Sequence, residues 1–229
     1  FVAGTLTITI AQSTGGLASS ANPALPGVLV TFTFTASAVP PGAGTVTGSA
    51  TFRIDGTAVA TVNLSGGSAS YSTASLPLGF HSVTVEYSGS ANFLPTSATL
   101  SPAQLINTPP VAIADVVYRL AGNGIKVAIQ TLAQNDYDGD GDSFAVVWFS
   151  ATTASGFALT QSNDWIVYTP PTDLDEDDAF TYQISDGRGP PVLGTVQIIV
   201  TPDTVPASNL SIVNLGNGSF RLQFGGVPD

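Results

Sequence analysis

From Val30 to Ala36 every second residue is apolar and every residue between is threonine. A period of two puts Val30, Phe32, Phe34 and Ala36 on one face of an extended strand and Thr31, Thr33 and Thr35 on the other. On a helix the same residues would scatter around the whole circumference, so a helix is excluded here. The pattern recurs along the first half. Thr5–Ile10 alternates. Ala50, Phe52 and Ile54 run into an Asp55-Gly56 turn, and Ala60, Val62 and Leu64 into Ser65-Gly66-Gly67. Ala69 and Tyr71 lead to Pro77-Leu78-Gly79. Val83, Val85 and Tyr87 alternate with Thr84, Glu86 and Ser88, and a last strand runs near Thr96–Leu100. About seven short strands at a spacing of roughly 8–12 residues predict a two-sheet sandwich of the immunoglobulin type.

A second β pattern follows Asn107-Thr108-Pro109-Pro110, a stiff extended linker because proline fixes φ and lacks an N–H. Val116–Leu120 and Ile125–Leu132 flank Gly122-Asn123-Gly124, which predicts a hairpin. Phe144, Val146 and Trp148 alternate with Ala145, Val147 and Phe149. Both sets are apolar, so this strand is expected at the centre of a sheet, covered on both faces. Trp165–Tyr168, Phe180–Ile184 and Val196–Val200 complete the set. In the tail, Asn209–Leu215 and Ser219–Phe224 alternate around Gly216-Asn217-Gly218, a further hairpin. The expected fold is all-β: one sandwich over residues 1–106, a second over 107–203, and a tail over 204–229 that forms a hairpin or opens a further module.

With threonine and serine on the outward faces, few charges are needed for solubility, and only 9% of residues are charged. Those charges are lopsided. The formal net charge is −11, yet Asp55 and Glu86 are the only acids before Pro110. Five basic residues in the whole chain exclude a nucleic-acid partner, whose phosphates demand lysine and arginine. The absence of cysteine removes thiol catalysis, disulfides and thiolate metal sites. No apolar run reaches the ~20 residues that span a bilayer.

The acids concentrate in Asn135-Asp136-Tyr137-Asp138-Gly139-Asp140-Gly141-Asp142. Carboxylates at every second position converge on one point if the loop curls, and without a cation they repel one another. Asp136, Asp138, Asp140 and Asp142 are therefore candidate calcium ligands. The spacing follows the first half of an EF-hand loop, but its twelfth position is Val147 rather than a bidentate glutamate. Further ligands must come from Asp173, Asp175 or Asp178, from backbone carbonyls and from water. The alternative is a solvated acidic turn. The run Asp173–Asp178 reads either as part of a calcium site or as a charged surface loop. His81, the single histidine, shares the parity of Val83, Val85 and Tyr87 and reads as a hydrogen-bonded structural residue. Trp148 and Trp165 lie on strand patterns, which favours core packing over stacking on sugars. No Gly-x-Ser-x-Gly elbow accompanies the serines, and no enzyme is expected.

Pro26-Gly27-Val28-Leu29-Val30-Thr31-Phe32-Thr33, Gly48-Ser49-Ala50-Thr51-Phe52, Gly79-Phe80-His81-Ser82-Val83-Thr84-Val85 and Tyr87-Ser88-Gly89-Ser90-Ala91-Asn92-Phe93 together resemble the bacterial Ig-like repeats of large surface and secreted proteins, over about residues 5–101. Ser90 departs from the aspartate usual there. Asn107-Thr108-Pro109-Pro110-Val111-Ala112, the Asn135–Asp142 run, Tyr168-Thr169-Pro170 and Phe180-Thr181-Tyr182-Gln183-Ile184-Ser185-Asp186-Gly187 resemble bacterial cadherin-like tandem repeats, over about residues 107–202. Gln134 and the acidic Asp173–Asp178 depart from that pattern. The resemblance implies an extracellular spacer or adhesion module stiffened by calcium. Its expected partners are a cell-surface protein or glycan, or further copies joined by strand addition through residues 5–10 or 209–224. The alternative is a carbohydrate-binding accessory segment of a secreted enzyme.

Overall fold

The structure, a computed structural model, describes residues 9–201 and, in the tail, the backbone of residues 210–214 and 220–224. Apart from one 3-10 turn at Ile129–Ala133, the regular elements among the described residues are strands. The chain divides into two compact units. The first runs to Pro109 and includes Asp138–Asp142 and Gly187–Pro190; the second holds the rest.

In the first unit, β1 (Ser13–Ser19), β2 (Val30–Ala38) and β5 (Ser68–Thr73) form an antiparallel sheet in the order β1-β2-β5. β3 (Ser49–Ile54), β4 (Thr57–Asn63), β7 (Val83–Tyr87) and β8 (Thr96–Thr99) form a second, in the order β4-β3-β7-β8. β6 (Gly79–His81) pairs with β9 (Gln104–Ile106). Val30, Phe32, Phe34, Phe52, Val83 and Val85 are fully buried in the core. The outward threonines bond across strands, Thr31 to Ser72 at 2.8 Å and Thr51 to Thr61 at 2.9 Å. Uncharged hydroxyl ladders thus do the solvent-facing work that charges do elsewhere. The expected Asp55-Gly56 turn is present, with both residues at positive φ, 51° and 80°, which matches the strand twist of a two-residue hairpin.

The first expected strand, Thr5–Ile10, falls mostly outside the described residues. Thr9 and Ile10 are in no strand, and the first strand among the described residues is Ser13–Ser19. Its Gly15 resembles a turn residue in the sequence but serves packing. A Cβ on Gly15 would lie 2.5 Å from the Phe34 ring.

In the second unit, β10 (Asp115–Leu120), β16 (Val192–Thr201), β15 (Asp178–Ser185) and β12 (Ala145–Phe149) form one sheet in that order. β11 (Ile125–Ala128), β14 (Trp165–Tyr168) and β13 (Leu159–Ser162) form the other. Phe180, Tyr182, Ile184, Val196, Ile198 and Ile166 fill the core. Two expectations fail here. Gly122-Asn123-Gly124 does not close a hairpin, because β10 runs parallel to β16 while β11 pairs with β14 in the opposite sheet. The turn carries the chain across the sandwich, and Gly124 passes so close to Tyr168 that a Cβ would sit 2.5 Å from its carbonyl oxygen. The strand expected over Ile125–Leu132 ends at Ala128, where the 3-10 turn begins.

The strand expected to be central is instead at a sheet edge. A bulge at Val147 shifts its register, so that Val146 opposes Ile184 while Trp148 opposes Gln183. The extra residue turns two consecutive side chains outward, leaving Trp148 47% exposed. Trp165 is 45% exposed. Neither tryptophan packs in the core.

In the tail, β17 (Leu210–Asn214) and β18 (Phe220–Phe224) pair antiparallel, as expected.

Candidate cation site

The acidic loop folds on its own backbone first. Asp138 accepts a bond from the Asp140 N–H at 3.0 Å through Oδ1, and its carbonyl accepts from the Gly141 N–H at 3.3 Å. Gly141, at φ 84°, takes the left-handed conformation the turn requires. Asp140 Oδ2 then accepts the Thr108 N–H at 2.9 Å, tying the loop to the Asn107–Pro110 segment. Asp142 Oδ1 meets Arg188 at 2.8 Å.

These bonds leave Asp138 Oδ2 and Asp140 Oδ1 buried and without a hydrogen-bond partner. Burial and the adjoining Asp140 carboxylate push the Asp138 carboxyl above its usual value. Asp140 is held below its usual value by the adjoining Asp138 carboxyl and by the Thr108 N–H. Two carboxyl groups thus adjoin each other in the loop, one raised and one lowered. Hard, unpartnered oxygens suit a hard cation such as calcium, which takes 6–8 oxygen ligands. The chain supplies two such oxygens here. Among the described residues no three acidic or histidine side chains gather as metal ligands. Backbone carbonyls and water would complete the shell.

The other candidate ligands have other partners or none. Asp136 accepts the Ile113 N–H at 2.7 Å, and the buried Tyr182 hydroxyl lies 3.1 Å from its Oδ2. Asp115 stands beside them, its carboxyl raised by burial and, among its neighbours, by the Asp136 charge. Asp178 is buried. Against the cost of that burial, the Thr153 hydroxyl and the N–H groups of Ala179 and Ser155 hold its carboxyl below the usual value. Its Oδ2 accepts the Tyr168 hydroxyl at 2.9 Å, and burial with this bond raises the tyrosine to about 12. Asp173 and Asp175 are exposed.

Sequence reasoning missed Arg119, 2% exposed, whose guanidinium donates to the carbonyls of Leu174 and Glu176 at 2.8 and 3.1 Å and so pins the second acidic run by its backbone. It also missed the Tyr182–Asp136 bond. The parity of Phe180, Tyr182 and Ile184 placed that hydroxyl on the core face, where it needs an acceptor. His81 is 5% exposed, with Nδ1 2.7 Å from Asp55 Oδ2 and Nε2 2.9 Å from the Pro77 carbonyl.

Comparison with known proteins gives two family matches. Residues 17–104 match the model of a bacterial Ig-like domain of group 3, and residues 107–201 match that of a bacterial Ig domain. Similar solved structures include the fibronectin(III)-like modules of Clostridium thermocellum CbhA, at 11% identity and TM-score 0.38, over 83% of this chain and 96% of that one. Murine CEACAM1b is similar at 12% identity and TM-score 0.42, over 82% of this chain and all of that one. The comparison with curated proteins gives no match.

Proposed function

We propose, from two bacterial Ig-like domains in tandem, that this chain is a non-catalytic structural or adhesive segment of an extracellular bacterial surface protein, stiffened by a divalent cation at Asp138 and Asp140. The observation that carries the cation is the pair of buried, unpartnered oxygens, Asp138 Oδ2 and Asp140 Oδ1. An unpaired buried carboxylate oxygen costs free energy, and a cation removes that cost and the mutual repulsion together. The bond from Thr108 to Asp140 passes the ordering of the loop to the proline linker. With two protein carboxylates and a water-rich shell, affinity belongs in the range of extracellular modules, ~10⁻⁴–10⁻³ M.

The two cores and the bonded states of Asp136, Asp142 and Asp178 support a scaffold rather than a reaction centre. Equilibrium dialysis against labelled calcium tests the reading. The parent chain takes up calcium in the stated range, and the double variant Asp138→Asn/Asp140→Asn does not. Equal uptake by both chains would place the ion elsewhere, and no uptake by the parent would remove it. Of the segments expected to join copies, residues 5–10 and 209–224, residues 5–8, 209 and 215–219 and the side chains of 210–214 and 220–224 lie outside the described residues.

A further inference from the structure

We propose that the second unit binds an acidic polysaccharide, a chain of uronate sugars, in the groove bordered by Tyr118, Lys126 and Trp165. The groove measures about 390 Å³, within the ~300–1,000 Å³ of small-ligand sites. Tyr118, on β10, is 66% exposed, and Trp165, on β14, leaves nearly half its surface in water. Rings with an apolar body and a polar edge suit a ligand that is apolar on one face and wet on the other. A pyranose has such a face in its axial C–H bonds and such an edge in its hydroxyls.

Lys126 sets the sign of the ligand. It is the only lysine in the chain. The other described cations are committed: Arg53 to Glu86 at 3.2 Å, Arg188 to Asp142, and Arg119 to two carbonyls. Lys126 makes no ion pair among the described residues. In a chain of net charge −11, anions are repelled from most of the surface, so an exposed lysine lining the same groove as two exposed rings marks the place among the described residues that attracts them. A uronate offers one carboxylate per sugar ring, matching one lysine beside two aromatics. A single cation is too little for a nucleic acid. A lysine on the short edge strand β11 also hinders addition of a peptide strand there.

This inference goes beyond the scaffold reading and needs no metal ion. Calorimetric titration of the intact chain, in chelator and low salt, tests it with a galacturonate hexamer and a neutral cellohexaose. Chelator keeps Asp138 and Asp140 out of the result, so failure here leaves the cation reading standing. The acidic hexamer binds, and binding weakens as salt is added. Trp165→Ala and Lys126→Gln each weaken it at least about tenfold, whereas Trp148→Ala, outside the groove, has no effect. Should Trp165→Ala lower the melting temperature, exposed Lys126→Gln decides alone. No heat with the acidic hexamer at millimolar concentration overturns the proposal, as does equal binding of cellohexaose, or parent-like binding by Lys126→Gln.

Discussion

The two sandwiches bury the same kinds of strand but hold their polar interiors differently. In the first, away from the Asp138–Asp142 loop, the buried polar side chains are mostly neutral and hydrogen-bonded. Gln104 donates to the carbonyls of Ala21 and Leu105 and accepts from Ser19 at 2.6 Å. Tyr87 donates to a peptide carbonyl, that of Thr47. In the second, tyrosine hydroxyls face carboxylates, Tyr168 on Asp178 and Tyr182 on Asp136, and a buried arginine holds an acidic loop by its carbonyls. The lopsided charge of the sequence is thus carried inward. Apart from the His81–Asp55 pair and the Asp138–Asp142 loop, the first unit rests on apolar packing and neutral bonds, the second on charge-assisted bonds that are stronger singly and costlier to break.

The largest test of this contrast is Phe52→Ala. Truncating a fully buried phenylalanine costs ~3–5 kcal/mol, and scanning calorimetry should show the first unit's transition falling alone. If both transitions fall together, the two cores do not melt independently. Next come the two tyrosines. Tyr182→Phe removes a donor from a carboxylate and should cost ~1.5–3 kcal/mol, against ~0.5–1.5 kcal/mol for Tyr87→Phe, which frees a carbonyl. Equal costs in urea melts would erase the distinction between the interiors.

The smallest effect is the pH response of the first unit. Both nitrogens of His81 face acceptors, so the bonded form is the imidazolium. Burial opposes that charge, but the Asp55 carboxylate and the Pro77 carbonyl outweigh it and the histidine pKa is raised. A raised value means that the stabilisation is complete below the ordinary histidine value of ~6.5 and is lost as pH rises through the folded value. Asp55 is lowered, chiefly by its bond to His81, so the pair also fails as pH drops through the acid range. Asp55 is half-exposed, which limits the effect to below ~1 kcal/mol. The first unit should melt lower at about pH 8 than at about pH 6, the second should hold steady, and His81→Gln should flatten the first. A pH-independent first transition in the parent would contradict this.

The strands with clean alternation were legible in the sequence. Val30–Ala36, Ala50–Ile54 and Val83–Tyr87 show period two because one face is buried and the other solvated. Ser13–Ser19 was not legible, because Gly15 is there to pass beneath Phe34, and a glycine chosen for close approach looks like one chosen for a turn. The bulge at Val147 defeated the reading of Phe144–Phe149, since one inserted residue reverses the faces of all that follow. The partner of β10 was hidden because a parallel pairing with β16 leaves no local signature. At the candidate site the spacing of the aspartates was visible, but their sorting was not. Tyr182 takes Asp136 and Arg188 takes Asp142, and those choices are made by distant segments of chain.

The cation is the point on which the scaffold reading rests, and scanning calorimetry in about 10 mM calcium and in chelator addresses it. At dissociation constants of ~10⁻⁴–10⁻³ M the ion adds ~1.4–2.7 kcal/mol, which raises the melting temperature of a unit this size by at least about 5 °C. The account predicts that rise in the parent and its absence in Asp138→Asn/Asp140→Asn, which in chelator should melt no lower than the parent because the repulsion is relieved. Identical melting of the parent chain with and without calcium would contradict it.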